Sequence, residues 1–92
     1  MVYPVGHTAV SASGVIKASG GSLTSIIITG GADAASVTLH DNASAGSGVV
    51  MCVVKAAINT TTVVNLAHPM AFSNGLYATV TGTTPDVSVG YF

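Results

Sequence analysis

Short stretches in which a β-branched or aliphatic residue alternates with a hydroxyl-bearing one recur about every ten residues along this chain, each bounded by Gly, Asn, Asp or Ser. A period of two belongs to a pleated strand with one buried face, not to an amphipathic helix of period 3.6. Ser36-Val37-Thr38-Leu39-His40 is the clearest case. Val37 and Leu39 point one way; Ser36, Thr38 and His40 point the other. Helix formers other than alanine are scarce, and no segment reads as a helix.

Between residues 7 and 13 the alternation places Thr8, Val10 and Ala12 on one face. After Gly14, residues 15–18 read as the same strand continuing past a bulge. Residues 23–29 form the next strand, apolar on both faces at Ile26-Ile27-Ile28, and Gly30-Gly31-Ala32-Asp33 reads as a hairpin connection. A longer loop over residues 41–48 precedes residues 49–57, whose weak alternation suits a central strand or one covered on its second face by a partner. Residues 61–66 follow, and Pro69 confines what comes next to an edge strand or a loop. Asn74-Gly75 is the preferred dipeptide of a type I′ hairpin, whose two central residues need positive φ. Leu76, Ala78 and Val80 share a face; past a turn at residues 82–86, Val87, Val89 and Tyr91 do the same.

Seven or eight short strands in 92 residues predict one all-β domain over residues 1–92. The expected architecture is a single antiparallel β-sandwich, jelly-roll-like or immunoglobulin-like, with residues 1–6 as an extended N-terminal arm. Its expected core is Val10, Leu23, Ile26, Ile28, Val37, Leu39, Val50, Cys52, Val54, Leu66, Leu76, Ala78, Val80, Val87 and Val89.

Charge narrows the function classes. Lys17, Lys55, Asp33, Asp41 and Asp86 are the whole inventory, with no Arg and no Glu. A folded chain of this mass exposes on the order of 4,900 Å², so charge is sparse, and the surface is either a neutral hydroxyl coat or partly covered by neighbours. Two scattered lysines give no electrostatic footprint for nucleic acid, so no nucleic-acid partner is expected. The longest apolar run, Val49-Val50-Met51-Cys52-Val53-Val54, is far short of the ~20 residues of a spanning helix. No membrane association is expected, and residues 1–7 show no secretory signal.

The chemistry-bearing residues are few. His7, His40 and His68 have none of the close spacing of a zinc site and read as surface or loop histidines, so no metal ligand is assigned. His40 and Asp41 are strand neighbours, which point to opposite faces and do not pair. Asp33, Asp41 and Asp86 lie in or beside turns, where a carboxylate accepts nearby backbone N–H groups. Cys52 lies in the most apolar stretch, where a thiol is inert packing. Gly46-Ser47-Gly48 precedes no helix and cradles no phosphate. No catalytic, cofactor-binding or metal residue is assigned, and the chain reads as no enzyme. What stays unexplained is apolar: residues 49–54, Val2-Tyr3-Pro4-Val5 and Tyr91-Phe92, which a partner would cover.

Three segments carry a resemblance. Gly21-Ser22-Leu23-Thr24-Ser25-Ile26, then Thr29-Gly30-Gly31, then Ser36-Val37-Thr38-Leu39-His40-Asp41-Asn42-Ala43-Ser44 resembles a run common in small tailed-phage virion proteins, where a strand pair leads into a TLYDNASA-like segment. Phe72-Ser73-Asn74-Gly75-Leu76-Tyr77-Ala78 and Pro85-Asp86-Val87-Ser88-Val89-Gly90-Tyr91 are similar to the later half of that pattern. The resemblance covers roughly residues 14–92 and rests on turn residues and alternation; His40 stands where a tyrosine is more usual. It implies a structural virion protein on the capsid surface, made in the host cytoplasm: a capsid decoration (cement) protein, or a head-fibre or tail domain. Such proteins are β-rich, work as oligomers, often homotrimers, and carry no cofactors. The expected partners are therefore the major capsid protein and further copies of the chain. The alternative function is a fibre or adhesin domain binding a host glycan or receptor.

Overall fold

The computed structural model describes residues 6–83 and 85–92, with residues 6 and 7 described by their backbone alone. All but Gly6 of the expected N-terminal arm lies outside these residues. The strands are β1 (Gly6–Val10), β2 (Gly14–Lys17), β3 (Gly21–Thr29), β4 (Ala35–His40), β5 (Val50–Ala56), β6 (Thr61–Phe72), β7 (Leu76–Thr81) and β8 (Asp86–Tyr91). They form two four-stranded sheets, β1-β8-β3-β6 and β2-β7-β4-β5, antiparallel throughout. There is no helix among the described residues, and so none long and apolar enough to cross a membrane.

The pairs β1·β8, β2·β7, β3·β6 and β4·β5 nest around the β4–β5 loop. The chain is thus one long antiparallel ribbon rolled so that successive pairs fall in opposite sheets, with β8·β3 and β7·β4 closing the roll. This strand order is a jelly roll. In an immunoglobulin-like sandwich the first two strands would pair with each other.

The rolled ribbon revises the turn assignments. Only β4 and β5 are consecutive strands within one sheet; every other described connection crosses between sheets. Gly30-Gly31-Ala32-Asp33 and Asn74-Gly75 are therefore crossings, not hairpins, and neither Asn74 nor Gly75 has positive φ. Residues 15–17 are not the first strand resumed past a bulge. The chain bends at residues 11–13 and changes sheet, held where Ser13 Oγ accepts the Val80 N–H at 2.8 Å.

The four inner strands supply the core, because each is flanked by ladder partners on both sides and needs one fully dry face. Leu23, Ile26, Ile28, Val87 and Val89 line it from one sheet; Val37, Leu39, Leu76 and Ala78 line it from the other. Ile16, Ala35, Val54, Ala56 and Phe72 complete it, and Val10, Cys52, Leu66 and Val80 pack half-buried around it. Val50, expected inside, is 52% exposed. Leu39 pairs with Cys52 but His40 pairs with Val50, leaving Met51 as an extra residue. Such a bulge reverses the phase of every side chain before it.

Both strands on one side of the sandwich are edges. β5 ends one sheet, so its weak alternation marks an edge, not the central strand that was one of two expectations. β6 ends the other and contains Pro69, as an edge strand can. Ser25 pairs with Asn65 and Leu23 with Met70, so residues 66–69 bulge out opposite Thr24 alone.

Candidate functional site

Among the described residues the chemistry-bearing side chains do not converge. His68 is exposed on the β6 bulge, and the side chain of His7 lies outside the described residues. His40 is not a surface histidine: it is 8% exposed. No group of three or more His, Cys, Asp or Glu able to hold a metal occurs among the described residues. Asp86 is exposed at the start of β8, and Asp33 accepts a 2.6 Å hydrogen bond from the Thr83 hydroxyl, tying two crossings together.

His40 is buried because the β4–β5 loop folds back over its own sheet. By strand alternation His40 lies on the outer face of β4, opposite Tyr77. Above this face the loop passes so closely that a Cβ on Gly46 would meet Thr79 Oγ1 at 2.5 Å and the Tyr77 ring at 3.4 Å. Asn42 shapes the loop: its Oδ1 accepts the N–H groups of Ser44 and Ala45 at 2.8 and 2.9 Å, the local turn chemistry of an Asx residue. Beneath it, His40 Nδ1 and Thr79 Oγ1 are buried without a hydrogen-bond partner among the described residues.

Asp41 fixes that loop in place. Its carboxylate accepts the backbone N–H groups of Ser73 at 3.1 Å, Asn74 at 2.8 Å and Gly75 at 3.4 Å. Asp41 lies just past the end of β4, and its carboxylate serves the β6–β7 crossing instead of its own turn. No local signal reveals this, since the partners lie 32 to 34 residues away. The N–H of Asn74, then that of Ser73, holds the Asp41 carboxyl below its usual range; partial desolvation opposes them, and Gly75 adds least. A carboxyl depressed in the folded state contributes stability above its unfolded value, about 3.9, and that stability is lost as pH falls through the folded value. Acid unfolding below about pH 4 is therefore expected to be shallower in Asp41→Asn, which is also less stable at neutral pH. Thermal melts across that range check it; a stability difference that does not change with pH would overturn the assignment.

The surface that remains is apolar and sits on the β5–β6 side. Val49, Val50, Val53, Ile58 and Val63 are 67%, 52%, 51%, 53% and 55% exposed. Val53 stands on the outer face of β5, paired with Thr38. Val63 stands on the outer face of β6 beside Ile27, itself 41% exposed. Between these faces the half-buried Met51, Cys52, Val64 and Leu66 pack against the core along its open side. Burial pushes the Cys52 thiol up, away from its reactive thiolate. The residues 49–54 singled out as uncovered thus divide: Val54 is core, Met51 and Cys52 line the open side, and the other three valines are bare. Of the other two features, Val2-Tyr3-Pro4-Val5 lies outside the described residues. Tyr91 is half-buried with its hydroxyl 2.8 Å from Thr8 Oγ1, and Phe92 is 39% exposed.

No known protein family, curated protein or solved structure matches the chain.

Proposed function

We propose that the chain is a structural component of a tailed-phage virion: a capsid decoration (cement) protein that associates with copies of itself on the head and stabilises contacts between major capsid subunits. The observation that carries this reading is the set of bare valines and isoleucines on the β5–β6 side, left over after the core has closed without them. Exposed apolar groups with few charges to solvate their surroundings mark a surface used in contact with other protein. The resemblance of residues 14–92 to small virion proteins supplies the setting, and jelly rolls serve capsids among other uses, a likeness of fold that suggests a role without fixing it. Weak contacts multiplied over many copies on one shell would hold the protein there.

A glycan-binding fibre or adhesin domain draws less support. Stacking on sugars needs open aromatic faces; among the described residues Phe72 is buried, Tyr77 lies beneath the β4–β5 loop and Tyr91 is half-buried against Thr8, which leaves Phe92, 39% exposed, as a single partly open ring. The test is to add purified protein to heads of the phage whose genome encodes it, prepared without it. Saturable binding at a fixed copy number, with heads that resist heat better, is the expected result. Failure to bind heads, combined with binding to a glycan array, would replace this reading with the adhesin.

A further inference from the structure

The four sheet edges are not equivalent. Natural sheets block edges with short strands, charges, prolines and bulges, because an open edge pairs with any extended chain that meets it. β2 has only four residues, a register shift and Lys17. β6 has Pro69 and the bulge at residues 66–69. β1 has five described residues and ends at the bend of residues 11–13. β5 has seven, with one bulge at Met51 near its start, regular register from Cys52 to Ala56, no proline and one charge, Lys55, near its end.

We infer that the outer edge of β5 pairs antiparallel with β5 of a second copy, about a two-fold axis at Val53, joining two four-stranded sheets into one of eight. This rests on the reading of the chain as a self-associating structural protein and names the surface that associates. A two-fold pairing is self-complementary, since each strand offers the other the same row of backbone donors and acceptors. It sets the exposed Val53 of one copy directly opposite its equivalent, the spacing at which apolar cross-strand pairs interact. It also separates the only charges on the strand. The two Lys55 residues fall four positions apart along the strand direction, about 14 Å, beyond the ~8 Å screening length of physiological salt.

Magnitude sets how strong the contact is. Seven strand residues span about 24 Å, and the molecule is 17 Å across its shortest axis. The edge-on footprint is therefore about 400 Å² per copy, about 800 Å² in total, below the ~1,200 Å² of stable complexes. The dimer is reversible and concentration-dependent in solution. It becomes permanent only where many copies are already held side by side.

Sedimentation velocity on the full chain up to millimolar concentration, with amide exchange at low and high concentration, tests this. The expected result is a monomer–dimer equilibrium with new protection confined to residues 50–56. Val53→Lys places a charge at the axis and lowers the association constant about tenfold or more; Val15→Lys, exposed on β2 at the far edge of the same sheet, leaves it unchanged. Should Val53→Lys fail to fold, Val50→Lys and the wild-type exchange pattern decide the matter. A monomer at every concentration, a trimer, or a dimer that Val15→Lys abolishes and Val53→Lys does not would overturn the pairing. Head binding is scored separately. A monomer that still decorates heads removes the edge pairing alone, and a β5 dimer that ignores heads removes the decoration reading alone.

Discussion

Leu39→Ala is expected to lower the free energy of unfolding by about 2–5 kcal/mol. Leu39 is fully buried and sits mid-ladder, between Ala78 of β7 and Cys52 of β5. Both ladder neighbours are small, so neither can swing in to fill the void, and the loss belongs to the upper part of that range. A domain of this length holds about 5–14 kcal/mol in all, which makes one core leucine worth a large fraction of it. The melting midpoint should fall by about 4–8 °C for each kcal/mol lost. Val63→Ala is the control: also an aliphatic truncation, but 55% exposed, it should stay within about 0.5 kcal/mol of wild type. Equal losses at the two sites would mean that the dry interior is not where β3, β4, β7 and β8 enclose it.

The strands themselves were legible, and the path between them was not. Val37 and Leu39, Leu76 and Ala78, and Val87 and Val89 alternate cleanly because each inner strand has one dry face, and all six are buried. Period-two alternation reports that local condition and nothing further. Gly30-Gly31 and Asn74-Gly75 were misread because glycine marks a change of direction and does not say whether the chain turns back within its sheet or over to the other. In the rolled ribbon it crosses at both. Val50 was misplaced by a bulge of one residue, which leaves no trace in composition.

The candidate site was legible in outline for a similar reason. An uncharged valine run is visible in the chain, but whether it is core, open side or bare edge depends on where β5 falls in the sheet order. His40 shows the same limit in reverse. It alternates with Val37 and Leu39 and so belongs to the outer face, where solvent is the ordinary expectation. A loop held by Asp41, through partners far away in sequence, covers it instead.

Gly75→Ala is expected to destabilise the protein by about 1–3 kcal/mol through overpacking. Asn74→Ala should change it by no more than about 0.5 kcal/mol. A Cβ at position 75 would lie 2.8 Å from the Ala43 Cα and 2.8 Å from the Lys17 carbonyl oxygen. Both are backbone atoms, which a rotamer change cannot move. The β6–β7 crossing passes here between the β4–β5 loop and the end of β2, and glycine is required for closeness. A type I′ turn predicts a different pair of results. There both positions hold positive φ, and alanine at either would bear the left-handed penalty of about 1–2 kcal/mol. With φ not positive at either residue, Asn74 contributes its backbone N–H to Asp41, and alanine supplies that N–H equally well. Denaturant midpoints at constant m-value separate the two accounts. A loss at Asn74 matching the loss at Gly75 would restore the hairpin; a loss at Gly75 alone identifies a crossing clamped between two neighbouring segments of backbone.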